Sequence, residues 1–264
     1  MSSGGASAFD CDAVSIAYGA GRLDGDVPPV LAGVSLKVTS GEFLTIVGGS
    51  GVGKTTLLRA LGGLIKPAAG TIRVRGAPVD GPPEDVLLVF QDYSNSLLPW
   101  RTVEGNVALG LEAREVPRSQ RSERIREALR MVGLHEATGK FPWQLSGGMQ
   151  QRLQLARALA LRPSSLLMDE PFGSLDAITK AALQDELQRV HATTGTTIVF
   201  ITHDVEEAVY LGDRAIVLAG RPARIVEELP IRLPRPRNQL STRESPHFLE
   251  LRHALHTAIQ GERA

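Results

Sequence analysis

A single cysteine, Cys11, stands among 264 residues. It has no intrachain partner, so a secreted disulfide framework is excluded. Neither sign of charge is in excess: 29 lysines and arginines balance 29 aspartates and glutamates. That balance removes the basic surplus on which nucleic-acid binders rely. Long apolar runs are missing as well. The longest, such as Val86–Phe90, hold about five residues, where a membrane span needs roughly 18. Met1–Asp10 is small and polar and lacks the basic start and apolar stretch of a signal peptide. There is no internal repeat and no low-complexity tract. The expectation is a cytosolic chain whose membrane role, if any, comes through a partner.

Hydrophobic residues make up 42% of the chain, which suits a folded globular protein of one large or two small domains. Phe9, Cys11, Val34, Leu36 and Val38 alternate as in half-buried strands, around a turn-rich insert at Gly19–Pro29. Phe43–Val47 is a short β-prone run. Lys54–Leu64 repeats leucine at helical spacing, Gly70–Val79 reads as a hairpin and Val86–Phe90 as a buried strand. From Thr102 to Leu161 the pattern is helical, with Ile125, Leu129 and Val132 on one side of an otherwise charged segment. Strands are then expected at Leu166–Met168 and Thr197–Thr202, helices at Asp176–His191 and Val205–Leu211, and a hairpin at Ala215–Leu229. Beyond Pro230 the chain is rich in Arg and Pro (Arg232, Pro234, Arg235, Pro236, Arg237). It ends in an amphipathic helix with Phe248, Leu251, Leu255 and Ile259 on one stripe, expected to pack back on the core. This alternation predicts an α/β core with a mostly parallel sheet and a helical insertion.

Three segments carry chemistry. Gly48-Gly49-Ser50-Gly51-Val52-Gly53-Lys54-Thr55 follows a strand and opens a helix, which is the context a phosphate-binding loop requires. Glycines let backbone N–H groups converge on phosphate oxygens, and the helix start adds a positive dipole end. Lys54 is placed for the β- and γ-phosphates and Thr55 for Mg2+. Leu166–Met168 ends in Asp169-Glu170. Adjacent buried acids need a cation or a proton. Asp169 suits a metal held through its water shell, and Glu170 suits activation of the attacking water. Leu145-Ser146-Gly147-Gly148-Met149-Gln150-Gln151-Arg152 opens another helix, with Ser146 as its cap and two glycines leaving N–H groups open to an anion.

Leu145–Arg152 resembles the signature motif of ATP-binding cassette (ABC) ATPases, and the other marks of that family follow in order. Gln91 after Val86–Phe90 is similar to its Q-loop glutamine, Ser174-Leu175-Asp176 to its D-loop, and His203 after Thr197–Thr202 to its switch histidine. Tyr18 stands where the family has an adenine-stacking aromatic. The resemblance covers about residues 9–225. It implies a P-loop NTPase (RecA-like) core at about 9–91 and 162–230, with an N-terminal antiparallel part and a helical signature subdomain at about 92–161. The ATPase domain then runs over 9–230 and the tail over 231–264.

The implied ligands are ATP and Mg2+. Glu170, His203 and Gln91 would be catalytic, and Thr55, Gln91 and Asp169 would serve the metal. Tyr18, Gly48 to Thr56, Ser146, Gly147, Gly148, Gln150 and Asp176 would contact nucleotide. In the family two copies meet head to tail, and each ATP lies between the Gly48–Thr56 loop of one chain and Ser146–Gly148 of the other.

Leu97–Val103, Phe141–Gln144, Glu207–Arg214 and Arg221–Val226 resemble the nitrate/sulfonate/taurine branch of bacterial importers, which also includes bicarbonate systems. The partners implied are two membrane permease subunits and, indirectly, a periplasmic solute-binding protein, with the chain on the cytoplasmic face of the membrane. Leu97, Leu98, Pro99 and Trp100 form an expected surface patch for a permease helix. Two alternatives stand against this reading: a non-transport ABC ATPase of DNA repair or translation, and a nucleotide-sensing regulator. The first generally needs coiled-coil inserts or two cassettes, and the second is at odds with the intact Lys54, Asp169, Glu170 and His203.

Overall fold

The computed structural model describes residues 6–18, 28–90, 96–173 and 175–261. Gln91, Ser174 and residues 19–27 of the expected loop lie outside the described residues.

Three short strands are buried along their whole length: β3 (Phe43–Val47), β7 (Ser165–Asp169) and β8 (Thr197–Ile201). Their sequences are nearly continuous apolar runs, as strands of a parallel sheet covered on both faces must be. With β6 (Val86–Val89) and β9 (Arg214–Gly220) they form a parallel block in the order β9-β3-β8-β7-β6. On the other side of β9, β10 (Ala223–Pro230) returns antiparallel. Beyond it lie β2 (Leu31–Thr39), β1 (Ser7–Ile16), β4 (Ala69–Val74) and β5 (Ala77–Pro78), completing one sheet of ten strands. The mixed sheet agrees with the expected fold class.

Side chains alternate along β3, and each face builds a separate core. Leu44 and Ile46 pack with α1 (Lys54–Leu61) and the N-terminal strands. Phe43 and Val47 pack with the opposite layer of helices. That layer holds α2 (Val103–Ala113), α3 (Arg118–Met131) and α4 (Gly147–Leu159), all inserted between β6 and β7. It continues through α5 (Ala177–Thr194), α6 (Val205–Leu211) and α7 (Pro246–Gly261). Phe248, Leu251 and Leu255 of α7 are buried in this core, so the tail packs back on it as expected.

Two expectations need correction. The helix after the phosphate loop stops at Leu61, and Leu64 is half exposed despite its helical spacing. Gly62-Gly63 ends it: Gly63 has φ +70°, and a Cβ there would lie 2.2 Å from the Gly81 carbonyl oxygen. The patch after residue 95 is also smaller than expected. Leu97 is buried in the helical core and Leu98 is half buried, which leaves Trp100 as its exposed large side chain.

Candidate functional site

The loop from Gly48 to Thr55 joins the carboxyl end of β3 to α1, inside the parallel block where β3 lies between β9 and β8. Ligands of open α/β sheets bind at this edge. Gly48 is forced by space: a Cβ on it would sit 2.3 Å from the Leu218 carbonyl oxygen on β9. Lys54 is buried, and its Nζ donates to the carbonyls of Gly48 (2.9 Å) and Gly49 (3.0 Å). It also stands 3.9 Å from Glu170 Oε1. Burial pushes the Lys54 ammonium below its usual range, against the pull of Glu170 and Asp169. Loss of water around a cation raises its demand for an anionic partner.

The carboxylates arrive on β7, two strands from β3 and separated from it by β8. Asp169 is the last residue of β7 and is buried; Thr55 Oγ1 donates to its Oδ1 at 3.1 Å. Desolvation lifts the Asp169 carboxyl above the ordinary carboxylate range, opposed by that hydrogen bond. Glu170 leaves the strand with φ +43°, a conformation that costs a non-glycine residue about 1 kcal/mol or more. The turn directs it away from Asp169 and toward His203, whose Nδ1 lies 3.0 Å from Glu170 Oε2. Thr55 and Asp169 together offer two hard oxygens, and a desolvated carboxylate beside a hydroxyl suits Mg2+.

Tyr18, Ser50, Gly51, Gly53, Lys54, Thr55, Thr56, Asp169 and Glu170 line one cleft of about 350 Å³. Tyr18 is half exposed at its mouth and is tied to the loop by a 2.9 Å bond between its hydroxyl and Thr56 Oγ1. The structure therefore brings Ser50, Gly51, Gly53 to Thr56, Asp169 and Glu170 together beside Tyr18, while Gly48, Gly49, Val52 and His203 are not among the lining residues and Gln91 lies outside the described ones.

Ser146, Gly147, Gly148 and Asp176 are not among the residues lining that cleft. Ser146 caps α4 by accepting the Met149 N–H, and Asp176 caps α5 by accepting the N–H groups of Ile178 and Thr179. Ser146 and Gly147 are exposed, so the start of α4 faces outward. Gln150 turns its amide back to the Pro142 carbonyl (3.0 Å), where it braces the turn before Ser146.

The same helix holds both flanks of the segment that contains Gln91. Gln154 Nε2 donates to the Phe90 carbonyl (3.2 Å), and Arg157 Nη1 donates to the Ser96 carbonyl. Beside them runs a largely apolar groove of about 420 Å³ between β6, α2 and α4, with Phe90 exposed on it. Sequence reasoning missed Gln154, Arg157 and Asp204. For Asp204 a signal existed: an aspartate after a strand and before an apolar helix is a helix cap, and it accepts the N–H groups of Glu206 and Glu207.

Residues 31–173 match the protein family described as ABC transporter. The chain is 46% identical, over 241 residues, to an uncharacterized ABC transporter ATP-binding protein of Methanocaldococcus jannaschii; the match covers 91% of this chain and 88% of that one. It is 42% identical to the taurine import ATP-binding protein of Chromobacterium violaceum, with 97% of both chains covered. It is 45% identical to the nitrate import ATP-binding protein of Synechococcus elongatus, but spans only 36% of that longer relative. A dimeric ATP-binding cassette bound to ADP and Pi superposes with a TM-score of 0.72 at 31% identity, covering 85% of this chain and 99% of that chain. A Clostridium perfringens subunit that is part of an ABC transporter complex superposes with a TM-score of 0.76 at 27% identity, covering 84% of this chain and 88% of that chain.

Proposed function

The chain belongs to the ABC transporter family of ATP-binding proteins, and on that footing we propose that it is the ATP-hydrolysing subunit of a bacterial importer. The observation that carries this reading is the convergence of Lys54, Thr55, Asp169 and Glu170 on one cleft beside Tyr18. ATP would lie with its base against Tyr18 and its phosphates over residues 48–56. Lys54 would leave its own loop carbonyls for the β- and γ-phosphates, where its under-solvated ammonium gains an anionic partner. Thr55 and Asp169 would hold Mg2+, with Gln91 as a further contact. When bound, the ion neutralises charge on the phosphate oxygens. Glu170 would accept a proton from the attacking water, and His203 would fix the carboxylate's orientation through the 3.0 Å contact.

A second copy completes the site in this reading. The outward-facing N-terminus of α4, with Ser146, Gly147 and Gly148, would cap the nucleotide of the partner copy. Asp176 and Gln150 would contribute to that surface, Gln150 through the turn it braces. The dimeric cassettes among the structural relatives support this arrangement.

No helix among the described residues is long and apolar enough to cross a membrane. The membrane path would therefore belong to two permease subunits, each seating a cytoplasmic helix in the groove beside Phe90. The solute would be a small anion of the nitrate, sulfonate, taurine or bicarbonate kind, delivered by a periplasmic binding protein. The chain would sit peripherally on the cytoplasmic face and take no nucleic acid.

The test is ATP titration of Lys54→Ala. The variant is expected to lose most ATP affinity while keeping its fold by circular dichroism. Unchanged affinity would place nucleotide elsewhere.

A further inference from the structure

The arginine-rich tail has no part in the site described so far, yet it grips the element that carries His203. α6 (Val205–Leu211) begins two residues after His203 and is seven residues long. A helix this short takes its position from its surroundings. At its C-terminal end, the buried Arg237 donates through Nη1 to the carbonyls of Val209 (3.2 Å), Tyr210 (2.8 Å) and Gly212 (2.9 Å). Arg235 Nη2 donates to the Leu211 carbonyl at 3.0 Å. These are the acceptors a helix end leaves without partners, and a cation there complements the dipole.

At the N-terminal end, Glu206 accepts from Arg243 Nη1 and Arg252 Nη1, each at 2.9 Å. The Arg243 guanidinium also lies 4.9 Å from the Tyr210 ring centroid and donates to Gln184 Oε1 at 3.0 Å. Both ends of α6 are thus held by arginines that lie C-terminal to the last strand.

Position passes from α6 to His203 through the residues on either side of it. Asp204 caps the helix, and its Oδ2 pairs with Lys180 Nζ at 2.8 Å. Thr202 Oγ1 donates to Glu207 on the first turn of α6, and Glu207 also accepts from Gln184 Nε2 at 2.9 Å. A displaced α6 therefore carries Thr202 and Asp204 with it. The imidazole between them then leaves its 3.0 Å contact with Glu170. α7 also faces this segment directly, since Arg252, His253 and His256 line one cavity with His203.

We propose that Arg237, Arg243 and Arg252 are positioning residues for His203: by fixing α6 at both ends they hold the histidine against Glu170. The inference rests on the role given to His203 above.

The test is steady-state ATP hydrolysis by the full chain carrying Arg243→Gln with Arg252→Gln. Both side chains are partly exposed, so the fold survives their loss. The expected result is a fall in kcat of about 10-fold with KM for ATP changed less than about 3-fold, because misplacing a catalytic group costs rate and not binding. The proposed hold on the start of α6 is the charged contact to Glu206, which a lysine can supply, so Arg243→Lys with Arg252→Lys is expected to restore most of the rate while the melting temperatures of all variants stay within a few degrees. An unchanged kcat in the glutamine variant overturns the proposal. So does a loss tracking a lowered melting temperature, or one the lysines do not rescue. His203→Ala is the control: normal turnover there refutes the role of His203 itself, whereas an inactive His203→Ala beside a fully active glutamine variant refutes only the tail's part.

Discussion

His203 Nδ1 and Glu170 Oε2 meet at 3.0 Å, although the two residues lie on separate strand ends of the sheet. Strand register sets this distance. Asp169 pairs with Ile201 across β7 and β8, so the residues that follow each strand leave side by side. Glu170 then turns through its positive φ, and His203 comes down from the end of β8.

Replacing Glu170 with glutamine keeps the side-chain shape and the contact to His203 but removes the proton acceptor. Glu170→Gln is expected to bind ATP normally, to lose hydrolysis by about 100-fold or more, and to accumulate an ATP-bound dimer. Size-exclusion chromatography with and without ATP reads the dimer. Wild-type turnover in this variant would remove Glu170 from the reaction.

Phe90 is exposed on the groove between β6, α2 and α4, and Trp100 is exposed three residues before α2, whereas Leu97 belongs to the core. Trp100→Glu is therefore expected to leave folding and ATP affinity unchanged, since it disturbs no buried packing. It is expected to abolish co-purification with the permease subunits. Normal assembly and uptake would move the docking surface elsewhere.

His191 supplies a pH dependence. It is buried beneath Phe43, with its Nε2 3.0 Å from the Gly41 carbonyl, and desolvation holds its pKa below the ordinary 6.5. The groups facing it include Arg235 and Arg237, which oppose protonation, and Asp213, which favours it. The folded chain binds fewer protons here than the unfolded chain does. The stability His191 contributes is thus complete above pH 6.5 and is lost as pH falls below that value. Urea midpoints at about pH 8 and pH 5.5 are expected to differ less in His191→Phe than in the wild type. An identical pH slope in the two proteins would assign it to other groups.

Much of this architecture was legible from local pattern. The apolar runs of β3, β7 and β8, the glycine loop ahead of α1 and the acids after β7 each carry their meaning within a few residues. Long-range contacts were not legible in the same way. Leu97 reads as part of a surface loop because the core that buries it comes from α2, α3 and α4. Arg237 reads as one charge in a polar, proline-rich tail. Its burial depends on helix-end carbonyls 25 to 28 residues earlier, and no periodicity reports them. Leucine spacing alone carries the helix after the phosphate loop to Leu64, one turn past the stop that Gly62-Gly63 imposes. The bond from Gln150 to the Pro142 carbonyl depends on loop geometry that spacing does not encode.

The edge position of β6 has a mechanical consequence. Among the described residues it pairs with β7 alone, through four residue pairs from Val86–Ser165 to Val89–Met168. The chain leaves β6 into the helical insertion and comes back into β7, so both connections of that block run through these two paired strands. An edge strand held on one side has more freedom to shift than an inner strand paired on both sides. A load taken up in the groove would reach this ladder, and the strand across it ends in Asp169, with Glu170 next in the chain. The fold thus connects the groove to the strand that carries Asp169 through this one ladder.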